Sequence, residues 1–68
     1  MEEVKFVLKF KYMHHDKPLY YPISAKNRND AIMESLSFVA YSSDRNYVIE
    51  WAELEKHITT ITTEWELK

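Results

Sequence analysis

Apolar and basic residues alternate at every second position near the start of the chain. The apolar set is Val4, Phe6, Leu8, Phe10 and Tyr12. The intervening set is Lys5, Lys9 and Lys11, together with Val7. Because successive side chains of a strand point to opposite faces, this pattern predicts a strand over Val4–Met13. One face is expected to be buried and the other exposed to solvent, which is typical of antiparallel sheets.

A turn and a second strand follow. Pro18 biases Lys17 away from helical conformation, so the segment His14–Pro18 predicts a turn. The segment Leu19–Ala25 predicts a strand whose one face holds Leu19, Tyr21, Ile23 and Ala25. Pro22 cannot donate a hydrogen bond within a sheet, so this strand is expected at a sheet edge, paired with the first strand as a hairpin.

The segment from Lys26 to Ser43 predicts the main helix. Asn27 is the expected N-cap, and Asp30 lies in the first turn near the positive end of the helix dipole. An apolar stripe at helical spacing predicts the buried side, and it consists of Ile32, Leu36, Val39 and Ala40, flanked by Met33 and Phe38. The polar run Ser42-Ser43-Asp44 is expected to end the helix.

The last third of the chain supports two interpretations. The favoured one is a strand from about Tyr47 to Trp51, a helical turn over Ala52–His57 and a final strand over Thr59–Leu67. In either interpretation the inward set of the final strand would be Ile61, Thr63, Trp65 and Leu67. The alternative is a second helix from Asp44 to Ile58, because the apolar residues of this segment also recur at steps of four and three.

These elements together predict one α+β domain spanning residues 1–68, with the order β-β-α-β-β. The expected architecture is a small antiparallel sheet of three to four strands with one main helix packed on one face. A chain of 68 residues has room for a single thin core.

Two amino acids are absent, and each absence excludes a class of chemistry. The sequence contains 0 cysteines, so it can form neither disulfides nor thiolate metal sites. It also contains 0 glycines, which excludes the glycine-rich loops that bind phosphates and dinucleotides. Turns that need a positive φ must therefore use asparagine or aspartate, and the candidates are Asp16, Asn27, Asn29 and Asn46.

The opening segment and the hydropathy predict a cytoplasmic protein. The acidic pair Glu2-Glu3 stands where a secretory signal would carry basic residues. No stretch approaches the roughly 20 apolar residues that a membrane-spanning helix requires. We therefore expect no membrane association.

Residues with the chemistry of a metal or catalytic site occur without a supporting arrangement. His14-His15-Asp16 holds metal-ligand types, and His57 would be a third ligand only if the fold brought it close. Adjacent histidines on an extended backbone point apart, so we interpret the cluster as a polar turn. No serine stands in a nucleophile motif, and the carboxylates of the last strand are interpreted as a solvated face. We expect no enzymatic activity, no metal and no cofactor.

Charge is segregated along a chain whose formal net charge is −2. Lysine and arginine predominate in residues 1–28, and glutamate predominates in residues 47–68. The candidate partner-binding residues are Lys5, Lys9, Lys11, Tyr20, Glu50, Glu53, Glu64 and Glu66. If the last strand neighbours the first, the lysines and Glu64 and Glu66 would instead form cross-strand ion pairs.

The size, the lack of cysteine, the hairpin–helix–hairpin order and the segregated charge resemble small phage-encoded inhibitors of host defence, such as anti-CRISPR proteins and phage antitoxins. The opening Met1-Glu2-Glu3-Val4-Lys5-Phe6-Val7 is similar in style to the first strand of one such antitoxin. The resemblance implies stoichiometric inhibition through a surface, with no cofactor, in the cytoplasm of a bacterial host.

The leading hypothesis is therefore a small interaction protein, a monomer or homodimer, that blocks a larger protein or ribonucleoprotein. The alternative is a nucleic-acid-binding regulatory module that uses the face of Lys5, Lys9 and Lys11, because open sheets with basic and aromatic residues bind single strands.

Overall fold

The computed structural model of the chain describes residues 4–67. Outside the described residues lie Met1, Lys68 and the acidic pair Glu2-Glu3 from which the absence of a secretory signal was predicted. The elements in chain order are β1 (Lys5–Tyr12), β2 (Leu19–Ile23), α1 (Arg28–Asp44), β3 (Ile49–His57) and β4 (Ile61–Leu67). The strands form one antiparallel sheet in the order β2-β1-β3-β4. The predicted α+β class and the β-β-α-β-β order are confirmed.

The first hairpin follows the predicted alternation. Phe6, Leu8 and Phe10 are buried on the side that faces the helix, and β2 pairs with β1 as an edge strand that carries Pro22. Tyr21 lies opposite Leu8, and Ile23 lies opposite Phe6, so β2 places its predicted apolar side against the same core.

β3 differs from the prediction. The segment from Ile49 to His57 is one continuous strand, so both the helical turn over Ala52–His57 and the alternative helix over Asp44–Ile58 are wrong. Ala52 and Leu54 are both fully buried, opposite Phe10 and Leu8 of β1. Burial of these alternate positions against the central strand outweighs the helix propensity of the segment, which tertiary context commonly overrides.

β4 begins two residues later than predicted, and only half of its predicted inward set faces the core. Trp65 and Leu67 pair with Leu54 and Ala52 and pack against the core. A register shift between Leu54 and Glu55 changes the facing of the strand, so Thr63 lies opposite Glu55 and Ile61 is 63% exposed. A bulge of this kind adds one unpaired residue, which reverses the face of every side chain beyond it.

The helix is capped as predicted but packs through a different side. Asn27 accepts a hydrogen bond from the Asp30 backbone N–H at 2.9 Å. The buried residues of α1 are Ala31, Ser35 and Ser42, whereas Leu36 is 50% and Met33 66% exposed. The predicted stripe is thus wrong at Leu36, at Ala40 and at the flanking Met33, which are exposed, whereas Ile32 and Phe38 pack against the core. Large aromatic side chains of the sheet occupy the core, so the helix approaches the sheet through small residues.

The carboxyl end of α1 uses asparagine where many helices use glycine. Asn46 has φ 64°, its N–H donates to the Ser43 carbonyl, and the Tyr47 N–H donates to the Ser42 carbonyl. This is the Schellman arrangement, with Asn46 as the left-handed residue. The expectation that asparagine or aspartate supplies positive φ is confirmed at this position.

Asn46 gives a stability prediction. Replacing Asn46 with alanine is expected to lower the free energy of unfolding by about 1 kcal/mol, because a Cβ without a compensating polar group disfavours the left-handed region. Asn46→Gly is the matched control and should leave stability unchanged or slightly raised. Urea titrations of the two variants make the comparison, and equal losses in both would contradict the assigned role.

Candidate protein-interaction surface

One face of the sheet is not covered by the helix. We call it the open face; it consists of Lys5, Val7, Lys9, Lys11, Tyr20, Pro22, Trp51, Glu53, Glu55, His57, Ile61, Thr63 and Glu66. The helix is the only one in residues 4–67, and it packs on the opposite face. The open face is therefore a flat surface of charged and aromatic side chains on a rigid support.

A lysine between two aromatic rings lies at the centre of the open face. Lys9 Nζ is 6.0 Å from the centroid of the Tyr20 ring and 5.8 Å from that of Trp51. Tyr20 is directly opposite Lys9 on β2, and Trp51 is reached diagonally on β3. Cation–π attraction at such distances holds the ammonium and both rings in a row across three strands.

The acidic residues of the open face lie on the strands next to the lysines. Glu53 is directly opposite Lys9, and Lys11 forms an ion pair with Glu50. His57 Nε2 lies 3.0 Å from Glu55 Oε1 on the same strand. The face is thus positive along β1 and negative along β3 and β4.

The expectation that the last strand would pair its glutamates with the lysines is corrected by the strand order. β1 pairs with β2 and β3, and β4 pairs with β3 alone within the described chain. Glu66 lies opposite Glu53, on the open face but one strand away from the lysines. Glu64 falls at the register shift, and its backbone carbonyl accepts a hydrogen bond from Arg28 Nη2 at 3.2 Å.

A cleft of about 430 Å³ opens at the β3–β4 corner of this surface. It is lined by Glu50, Trp51, Glu53, Glu66 and Leu67, and most of the surface that it exposes is apolar. Of the eight candidate partner-binding residues, the structure brings Lys5, Lys9, Lys11, Tyr20, Glu53 and Glu66 to the open face. Glu50 joins them at the rim of the cleft, and Glu64 does not.

Trp51, Glu55 and His57 also lie on the open face but were not predicted as site residues. The signal that could have found them is the alternation of small or apolar Ala52 and Leu54 with Trp51, Glu53 and Glu55, which is a strand pattern. The apolar residues of the same segment also recur at helical spacing, and that spacing favoured a helical interpretation over the strand.

His14 and His15 lie in the turn after β1, at the end of the sheet where β3 begins, and His57 lies at the opposite end of β3. His15 packs its ring against Tyr12, with centroids 5.4 Å apart, in the turn after β1. His57 pairs with Lys5 at the opposite end of β1. Within residues 4–67, no group of three or more histidine, cysteine, aspartate or glutamate side chains is placed to hold a metal ion.

Comparisons with protein-family models, with curated proteins and with solved structures find no match to this chain. The helix of the described residues is too short and too polar to cross a membrane. The fold and the surface therefore define the protein at the level of an α+β domain with one helix, a four-stranded antiparallel sheet and an open face.

Proposed function

We propose that this chain is a small non-enzymatic interaction protein that binds and blocks a larger protein through the open face of its sheet. The observation that carries the proposal is the row Tyr20–Lys9–Trp51 across β2, β1 and β3. Tyrosine and tryptophan are the side chains that most often dominate binding energy at protein interfaces.

The buried core beneath the row Tyr20–Lys9–Trp51 holds these side chains in place, which favours binding without rearrangement. β1 and β3 are the two central strands of the sheet, and Leu8 and Leu54 beneath them are fully buried. Side chains held on such a scaffold lose little freedom when a partner covers them, and that small loss raises the affinity of a given contact area. Stoichiometric inhibition of a bacterial host-defence protein or ribonucleoprotein, in the bacterial cytoplasm, is the form of this function that the size and layout favour.

The charge distribution of the open face favours a protein partner over a nucleic acid. Lys11 is engaged by Glu50, and Lys9 lies between two rings and opposite Glu53. A phosphate backbone on β1 would also approach Glu53 and Glu55 on the neighbouring strand β3. The alternative of a nucleic-acid module predicts binding to random single-stranded DNA that strengthens as salt is lowered, and we expect no such binding at about 50 mM salt.

Affinity capture from bacterial lysates tests the proposal. Immobilised wild-type protein is compared with the open-face variant Lys9→Glu/Tyr20→Ala and with Met33→Ala, whose side chain is exposed on the far side of the helix. We expect wild type and Met33→Ala to retain one stoichiometric protein and the open-face variant to lose it, because interface anchors contribute roughly 2 kcal/mol or more. Circular dichroism confirms that all three are folded.

Recovery of no stoichiometric protein would contradict the proposal. Equal recovery by wild type and the open-face variant would also contradict it, and loss confined to Met33→Ala would place the partner on the helix instead.

A further inference from the structure

A second cleft, of about 340 Å³, opens between β2 and α1 on the helix side of the sheet. We call it the tyrosine cleft; it is lined by Tyr21, Glu34, Ser37, Phe38 and Tyr41, and most of the surface that it exposes is apolar. An apolar cleft of this volume with one charged group in its wall is typical of ligand sites. Because Tyr21 faces the helix, the tyrosine cleft is separate from the open face.

Three aromatic rings form the apolar wall of the tyrosine cleft. The rings of Tyr21 and Phe38 stack, with centroids 4.6 Å apart and planes inclined by 21°. Tyr41 is 57% exposed, and the Arg45 guanidinium lies 5.2 Å from the centroid of its ring. The Tyr41 ring thus already attracts one guanidinium, and aromatic surfaces of this kind favour planar cations.

Glu34 places a carboxylate in the wall of the tyrosine cleft. The Ser24 backbone N–H donates to one of its oxygens at 3.2 Å, and the Ser24 hydroxyl donates to the other at 3.0 Å. These two bonds fix the direction of the carboxylate and leave its charge in place. No lysine, arginine or histidine of residues 4–67 forms an ion pair with Glu34. A partly buried carboxylate of this kind favours a cation from outside the chain, because a buried charge is costly unless it is paired.

Arg45 is too far from Glu34 to serve as its counter-ion. The two residues are three helical turns apart, which is roughly 16 Å along the axis of α1 at about 1.5 Å per residue. Phe38 lies one turn from Glu34, and Tyr41 lies between Phe38 and Arg45 along the helix. A cation at Glu34 would therefore contact the ring of Phe38, and its repulsion by Arg45 would be largely screened.

We propose that the tyrosine cleft binds a guanidinium group on an aliphatic stem, which is the chemistry of an arginine side chain. The guanidinium would lie on the Glu34 carboxylate, and the stem would lie along the rings of Phe38 and Tyr41. A guanidinium offers parallel N–H donors to a carboxylate and stacks on aromatic faces, whereas an ammonium is a compact, strongly hydrated charge. This site lies on the other side of the sheet from the open face, so it goes beyond the proposed function and does not depend on it.

A charged probe and its neutral analogue test the site. The probe is N-butylguanidinium, and the control is N-butylurea, which has nearly the same shape without the charge. Proton–carbon correlation spectra of the whole chain follow the ring signals of Tyr21, Phe38 and Tyr41 at a constant ionic strength of about 0.1 M. We expect saturable binding of the guanidinium with a Kd on the order of 1–10 mM, as suits so small a ligand, and binding of the urea at least about fivefold weaker.

Variants separate the carboxylate from the rings. Glu34→Gln removes the charge but keeps an acceptor for Ser24, and it should weaken binding of N-butylguanidinium by about five- to tenfold. Tyr41→Leu should weaken it by about two- to threefold, because a cation–π contact at an exposed site is modest. Asp16→Asn removes an exposed carboxylate in the turn after β1 and should leave the Kd unchanged. The dispersion of the amide signals confirms that each variant is folded.

The source of the guanidinium is resolved by repeating the titration with a capped tripeptide, acetyl-Ala-Arg-Ala-amide. Tighter binding of the tripeptide than of N-butylguanidinium supports an arginine side chain of another protein, and the reverse order supports a free guanidine compound. Three results would overturn the inference: no saturable shift up to about 50 mM N-butylguanidinium, which is well beyond the expected Kd; equal binding of N-butylurea; or an unchanged Kd in folded Glu34→Gln.

Discussion

Replacing Leu54 with alanine is expected to lower the free energy of unfolding by about 2–5 kcal/mol. Leu54 is fully buried on β3, directly opposite the equally buried Leu8 of β1, and it pairs with Trp65 of β4 on its other side. The substitution leaves a cavity between three strands. A core in a domain of this size rarely supplies more than about 3–5 kcal/mol, so a large fraction of the variant should be unfolded at 25 °C.

Leu36→Ala is the matched control for this experiment. Leu36 lies on α1 and is 50% exposed, and alanine is the better helix former. Its loss of stability should be well under that of Leu54→Ala in urea titrations followed by circular dichroism. Equal losses at the two sites would show that the helix packs through the stripe of Leu36, which would contradict the orientation of α1 described above.

Replacing Ser35 with leucine is expected to cost about 1–3 kcal/mol or more. Ser35 is fully buried on the side of α1 that faces the sheet, where Ala31 and Ser42 are also buried. Its hydroxyl donates to the Ala31 carbonyl at 2.8 Å, so it needs no partner from the sheet. A leucine has no space there, and the helix would have to move away from the sheet and lose contacts along its length.

Two further serine variants isolate the cause. Ser37→Leu makes the same change at an exposed position of α1 and should be nearly neutral. Ser35→Ala removes the hydroxyl and should be neutral or slightly stabilising, because the hydrogen bond to the preceding turn slightly disfavours helices. Thermal unfolding of the three variants gives the order of their stabilities. A Ser35→Leu protein as stable as wild type would contradict the close approach of helix and sheet.

The first half of the fold could be predicted from the sequence because its signals agree with one another. The alternation from Val4 to Tyr12 sets the facing of β1, Pro22 marks an edge strand, and Asn27 caps the helix. Each of these acts through the local backbone. Local conformational preferences therefore suffice to define the hairpin and the start of the helix.

The second half could not be predicted because its outcome depends on distant contacts. The segment Ala52–His57 has the propensity of a helix, but β1 offers a buried partner for its alternate residues. The helix side was misassigned for a related reason. Hydrophobic patterns weight large side chains, whereas the sheet already contributes Phe6 and Phe10 and the helix contributes small ones.

Most of the candidate partner-binding residues lie on the open face, but the arrangement of that face could not be predicted. The facing of Lys5, Lys9 and Lys11 follows from the alternation of β1 alone. Their neighbours depend on the strand order, which places β3 rather than β4 beside β1. Trp51 therefore lies on the open face beside Lys11, and Glu64 does not lie on it because it falls at the register shift of β4.

The two tryptophans of the chain provide the most direct test of whether a partner protein binds the open face. Trp51 lies on the open face, whereas Trp65 packs against the core on the helix side. In a proton–nitrogen correlation spectrum, the captured partner should shift or broaden the indole signal of Trp51 and leave that of Trp65 unchanged. An unchanged Trp51 signal, with changes confined to Met33, Leu36 and their neighbours on the helix, would contradict binding at the open face.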